Sequence, residues 1–188
     1  MEINTSSERF DTRRFRNALG RFASGVTIVT TQREDRPHGM TANAFVSVSL
    51  EPPLVLVSLG NNSSMHRLLQ GTDRYGVSVL TEKQENLSDY FAGRTVDGLH
   101  VRFVTIHGIP LIEDAVANFV VRLVDTHPAG DHTLYIGLVE HFEWREGQPL
   151  LFYAGRYRRI HPEHAKAPPR VEDEFSLFSI GSFDPPVG

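Results

Sequence analysis

Residues 45–59 read Phe-Val-Ser-Val-Ser-Leu-Glu-Pro-Pro-Leu-Val-Leu-Val-Ser-Leu, and the fold is decided there. The first six alternate: Val46, Val48 and Leu50 fall on one face, Ser47 and Ser49 on the other, the period of an extended strand. Pro52 and Pro53 interrupt pairing because proline has no N–H to give to a ladder. Residues 54–59 then resume as a nearly continuous apolar strand.

Working outward, the same texture recurs. Residues 26–31 are β-branched almost throughout, and residues 32–37 form a polar turn, so a strand enters a hairpin there. After residue 60, Asn61, Asn62, Ser63 and Ser64 precede Met65, Leu68 and Leu69, which suits a capped short helix. Residues 75–80 are another strand. Thr81 and Gln84 have capping-box spacing, and Leu87, Tyr90 and Phe91 share a helical face that Gly93 ends. Residues 102–106 make a weak strand; 118–126, 133–144 and 150–153 make stronger ones. Gly and Pro punctuate the strands at short intervals, and few helices intervene. That favours a mainly β protein, an antiparallel barrel with a few short helices, over a run of βαβ crossovers.

The first element is a helix predicted from Asp11 to Ser24, with Asp11 as cap, Phe15, Ala18, Leu19 and Phe22 as its apolar stripe, and Gly25 as its stop. Arg13, Arg14, Arg16 and Arg21 lie mostly off that stripe and read as a solvated face. Residues 1–10 are an N-terminal extension and 11–160 one domain. Beyond it, residues 161–188 hold a proline-rich linker (Pro162, Pro168, Pro169) and an apolar tail with Phe175, Leu177, Phe178, Ile180 and Phe183. This tail is expected to dock in a groove of the barrel or of a second subunit.

A chain of 188 residues folding as one unit buries roughly 70% of its unfolded surface, enough for a core without staples. It has no cysteine, which excludes a disulfide scaffold, a thiol nucleophile and thiolate metal sites. The net charge of −4 argues against blanket neutralisation of nucleic-acid phosphates. Only Lys83 and Lys166 are lysines, so a Schiff base is a poor expectation. The amino terminus has no signal-peptide pattern and no apolar run is long enough to span a membrane, so a cytoplasmic protein is expected. The nine histidines form no carboxylate-flanked ligand set, and no metal is expected.

No two glycines are separated by a single residue, and nucleotide-binding or hydrolase fingerprints are missing. What remains is small and polar. Residues 39–44, Gly-Met-Thr-Ala-Asn-Ala, put small and hydrogen-bonding side chains beside a strand, where backbone can approach a flat ligand. Ser58, Asn61, Asn62, Ser63 and Ser64 offer hydroxyls and amides suited to phosphate, although such clusters equally serve as turns and caps.

Taken in order, the runs GVTIVTT, GMTANAFVSVSLEPPLVLVSL, VSVL, FAG, GDHTLYIG and PLLFYAGRY resemble the flavin reductase family, the short-chain NAD(P)H:flavin oxidoreductases that supply reduced flavin to two-component monooxygenases. The resemblance spans roughly residues 15–160. It implies a split β-barrel of Greek-key type, of the FMN-binding flavin reductase-like class, assembled as a homodimer. It implies FMN or FAD as flavin, NADH or NADPH as hydride donor, and a transient partner monooxygenase. No nucleic-acid or membrane partner is implied. Alternative functions on the same barrel are a non-enzymatic flavin or haem carrier and an oxygenase that keeps its flavin.

By the same resemblance, Met40, Thr41, Ala42, Asn43, Ser47 and Ser49 contact the isoalloxazine ring. Ser58, Asn61, Asn62, Ser63 and Ser64 take the phosphate and ribityl chain, and Phe91, Ala92, Gly93 and Arg94 form a further flavin contact. The segment around His132 and the hairpin with Tyr153, Arg156 and Tyr157 serve the nicotinamide, with His132 as the catalytic-site histidine. Many relatives carry a basic residue where this chain has Asn61 and Asn62, so phosphate charge falls here to Arg67, Arg94 or helix N–H groups.

Overall fold

The computed structural model describes residues 10–161; the tail from Phe175 to Phe183 lies outside them. The chain opens with α1 (Thr12–Leu19), capped by Asp11, whose carboxylate accepts the Arg14 N–H at 2.9 Å. The helix stops at Gly20, not at Ser24. Gly20 gives its carbonyl to the Ala154 N–H, and the next residues are needed for pairing: β1 (Ser24–Gly25) lies beside residues 151–152. The apolar stripe of α1 is also not buried in the chain, with Phe22 82% exposed.

β2 (Thr27–Arg33) and β3 (Arg36–Ala42) form a hairpin whose turn is only Glu34-Asp35, both at positive φ, the conformation that matches strand twist. The expected polar turn over 32–37 is therefore mostly strand. β3 tolerates Pro37 because it is an edge strand. β4 (Phe45–Leu50) and β5 (Pro53–Gly60) form the next hairpin, followed by α2 (Ser64–Leu69), β6 (Arg74–Val79) and α3 (Glu85–Phe91). A small hairpin, β7 (Phe103–Ile106) with β8 (Ile109–Ile112), precedes two long strands, β9 (Ala117–Ala129) and β10 (His132–Trp144). β11 (Leu151–Tyr153) and β12 (Arg156–Arg158) close the described part.

All strand pairs are antiparallel, and the main sheet runs β3-β2-β6-β9-β10-β5-β4. Its two edge strands are consecutive in the chain, joined by Asn43 and Ala44 alone. Three Cα–Cα steps of about 3.8 Å reach at most about 11 Å, so the sheet must curl until its edges nearly meet. No ladder joins β3 to β4 among the described residues, which leaves the barrel split at that seam. The seam is where the small polar run 41–44 lies.

Inside, Val29, Val55, Val57, Leu59, Tyr75, Val77, Val121 and Tyr135 form the main core. Gly137 is required there: a Cβ would sit 2.1 Å from Val121 Cγ1 and 2.7 Å from the Tyr75 hydroxyl. A second core holds Val26, Ile28, Leu80, Ile112 and Leu150, with Leu87 and Phe91 of α3 packed on it. The apolar faces of residues 54–59 and 116–124 are thus largely covered within one chain. The exposed large apolar residues among those described are Val46, Val48 and Leu50 on β4, Val124 at the far part of β9, Phe142 and Trp144 on β10, Tyr90 on α3, and Phe10, Phe15, Leu19 and Phe22 in and around α1.

Candidate functional site

Two polar groups flank the seam. The inner one begins at Thr41, near the end of β3, whose hydroxyl donates to the Ser88 carbonyl at 2.7 Å. Ser88, fully buried in α3, meets the Tyr157 hydroxyl at 2.8 Å, and the same hydroxyl lies 2.8 Å from Asp89 Oδ1. With one proton, Tyr157 donates to the carboxylate and accepts from the Ser88 hydroxyl. Burial pushes the Tyr157 pKa up, which keeps that proton in place.

Arg94 completes the group, pairing with Asp89 at 2.8 Å. Its position follows from how α3 ends. Gly93 sits at φ +85°, the Gly93 N–H donates to the Tyr90 carbonyl, and the Arg94 N–H donates to the Asp89 carbonyl: a Schellman termination that folds Arg94 back on the last turn. Thr41, Ala42, Asn43, Ala92, Arg94 and Tyr157 then line one cavity of about 180 Å³ with Val26, Ser88 and Phe152. Alone it is too small for a flavin, since ligand pockets begin at about 300 Å³. It shares Asn43 and Phe152 with a cleft of about 600 Å³ between α1 and the β11–β12 hairpin, and the two together are large enough.

The outer group runs along the ends of β5 and β10. The Ser58 N–H donates to the Ala44 carbonyl at 3.0 Å, which ties this row to the seam. Gly60 lies opposite His132, and a Cβ on Gly60 would stand 3.8 Å from His132 Nε2. His132 Nδ1 is 2.7 Å from Asp131 Oδ1. That hydrogen bond, with the charge of the ring, holds the Asp131 carboxyl below the usual carboxylate range. The Asp131 bond engages Nδ1 and leaves Nε2 without a hydrogen-bond partner among the described residues. Beyond Gly60, Ser63 caps α2 by accepting the His66 N–H at 3.1 Å, and Arg67 reaches back to the Asn62 carbonyl. Arg67 is thus the cation beside this segment, whereas Arg94 is already paired in the inner group.

The remaining residues singled out from sequence fall elsewhere. Met40 packs against the main core, and the Phe91 ring fills the space over Gly39, where a Cβ would come within 2.6 Å of Cε1. Both side chains are partly buried in that packing. Ser47 and Ser49 do not share a face: a bulge sets Ser47 against Val55 and Ser49 against Leu54, neighbours that point to opposite sides of β5. Tyr153 and Arg156 pair across the Ala154-Gly155 turn, and no hydrogen bond or ion pair joins Arg156 to His132. Asn61 spends its polar groups on the β9–β10 turn.

Sequence reading missed Ser88 and Asp89, the hub of the inner group. Their one signal was a serine one residue after Leu87 on the apolar side of α3. No cluster of three or more metal-ligating side chains occurs among the described residues, and no helix there is long and apolar enough to cross a membrane.

Residues 19–161 match the family model described as "Flavin reductase like domain". An NADH-dependent flavin reductase of a Rhodococcus species is 51% identical over 148 residues, covering 77% of this chain and 84% of that protein. The reductase component of 4-hydroxyphenylacetate 3-monooxygenase from Thermus thermophilus is 41% identical over 147 residues, 78% of this chain and 95% of its own length. Among solved structures, the NADH:FAD oxidoreductase SgcE6 of Streptomyces globisporus, in complex with NAD and FAD fragments, superposes with a TM-score of 0.76 at 38% identity. It covers 84% of this chain and 99% of its own. A barrel split at a small polar seam, a histidine poised across a glycine, and matches spanning most of both chains lead to one assignment: this chain belongs to the flavin reductase-like family.

Proposed function

We propose that this chain is an NADH:flavin oxidoreductase that passes reduced flavin, FMN or FAD, to a partner monooxygenase. In this reading the flavin ring lies in the joined cleft at Asn43 and Phe152, and its phosphate reaches Ser58, Ser63 and Ser64 beside Arg67. The observation that carries it is the continuous row from Asn43 through Ser58 and Gly60 to His132, which runs from the cleft to a histidine with a free Nε2.

The bound cofactors supply the redox chemistry, a hydride moving from nicotinamide to flavin. The chain's task is to hold two rings about 3–3.5 Å apart and to keep other reactions out. Small residues at the seam let backbone approach a flat ring. His132 Nε2, on a ring held by Asp131, would hydrogen-bond the carboxamide or ribose of the donor. The inner group fixes Thr41 and Tyr157, so the wall of the cleft does not reorganise when a ligand enters. Mixing the protein with NADH and excess FMN or FAD should give rapid multiple turnover, read as falling absorbance at 340 nm; binding of flavin without turnover would refute the reading.

Val46, Val48 and Leu50 are exposed apolar residues on β4, an edge strand of the main sheet, and a second copy would cover them. A homodimer acting in the NADH-containing cytoplasm completes the proposal. Light scattering that returned a monomer at micromolar concentration would sink the dimer.

A further inference from the structure

Asn61 sits where the family resemblance implies a flavin contact, yet its polar groups are engaged by the β9–β10 turn. Its backbone N–H donates to the Asp131 carbonyl at 3.0 Å, and Nδ2 donates to the Gly130 carbonyl at 3.3 Å. Its Oδ1 accepts from the Thr133 hydroxyl at 2.8 Å. These partners are residues 130, 131 and 133, which bracket His132 on both sides. The turn they hold is tight, with Gly130 at φ +66° and Ala129 paired to His132. Asn61 itself is one residue from Gly60, over which His132 Nε2 stands, and two from Ser63.

We propose that Asn61 is a positioning residue: it clamps the turn carrying His132 to the flavin-phosphate segment and so sets the distance between the two ligands. An amide is suited to this because one side chain both donates and accepts in a single plane. A hydroxyl or a lysine at the position would reach one side of the turn only. Misplacing reacting rings by about 1 Å costs on the order of a hundredfold in rate, so a clamp here bears on turnover although it touches neither ring.

This inference rests on the reading that His132 serves the nicotinamide, and the test separates the two. Four variants are compared by steady-state kinetics and flavin titration: Asn61→Ala, Asn61→Asp, Thr133→Val and His132→Ala. Asn61→Ala, losing two side-chain bonds, should lower kcat/KM for NADH by about tenfold or more while flavin Kd stays within about threefold. Asn61→Asp keeps the bond from Thr133 and should recover part of the loss. Thr133→Val removes one bond from the other side and should reproduce part of it. In the His132→Ala background, Asn61→Ala should add little, a coupling that a purely structural role would not show. If Asn61→Ala fails to fold, Thr133→Val and its coupling to His132→Ala decide the matter. Flavin affinity collapsing in Asn61→Ala would make Asn61 a flavin ligand and overturn the clamp. Full additivity with His132→Ala would also overturn it while leaving the nicotinamide reading intact. Unchanged NADH kinetics in His132→Ala would refute that reading, and the clamp with it.

Discussion

The inner group around Ser88 and the outer row from Ser58 to His132 both gather polar side chains, and they use them oppositely. In the inner group Thr41, Ser88, Tyr157, Asp89 and Arg94 hydrogen-bond to one another across β3, α3 and β12. In the outer row only part is spent. Ser63 caps a helix and Asn61 holds a turn, whereas His132 Nε2 and the Ser64 hydroxyl have no hydrogen-bond partner among the described residues. Ser88 is fully buried and Thr41, Asp89 and Tyr157 are partly so; a buried polar group left unsatisfied costs about 1–3 kcal/mol, so this part of the inner group is held firmly in place. The half-exposed outer row can leave groups to water until a ligand takes them.

That contrast predicts that inner changes disturb stability and binding together, while outer changes disturb binding alone unless the side chain is already spent on the protein, as Ser63 is on its helix cap. The largest effect belongs to Gly39→Val. The new side chain enters the space of the Phe91 ring, and overpacking of this kind costs roughly 1–3 kcal/mol. The melting temperature should fall by several degrees, roughly 2–4 °C per kcal/mol at this size, with flavin affinity weakened as well. A variant that melts normally would break the claim that the inner wall is close-packed.

Next comes the serine pair. Replacing Ser63 and Ser64 by alanine removes two hydroxyls and should weaken flavin binding about tenfold, measured by fluorescence titration. The single changes sharpen the contrast: Ser63→Ala loses a helix cap worth about 1 kcal/mol and should lower the melting temperature, whereas Ser64→Ala should not. Tyr157→Phe follows, removing the hydroxyl that joins Ser88 to Asp89. A loss of about 1 kcal/mol is expected in stability, with flavin affinity down about fivefold; a change in affinity alone would move Tyr157 to the outer class.

The smallest effect lies away from both groups and serves as their baseline. Arg74 and Arg122 hold the Glu140 carboxyl below its ordinary value of 4.5, by hydrogen bond first and charge second. A depressed carboxylate contributes stability that is present above the unfolded pKa and lost as pH falls through the folded one. Glu140→Gln should therefore melt slightly below the parent at pH 7, and the gap should close as the pH drops below about 4.5. Exposed pairs are worth little, so flavin and NADH kinetics should be unmoved.

Residue order alone determined much of this protein. Alternation and proline breaks gave the antiparallel class and most strands, because those signals report local backbone preference and which faces avoid water. The ordered short motifs carried the resemblance to the family. Tertiary structure decided the rest. β3 reads as Arg-Pro-His-Gly, a poor strand, and forms because β2 offers it an edge. The helix from Asp11 ends early because Gly20 and Ser24 are captured by the β11–β12 hairpin, a partner more than 120 residues away. Met40 and Phe91 turn into the core, and Asn61 turns to the β9–β10 turn, while Ser88 and Asp89 emerge as a hub. Composition and spacing tell which groups a segment offers, but whether a hydroxyl or amide is spent on the protein or left for a ligand depends on which distant segment lies within hydrogen-bond reach of it.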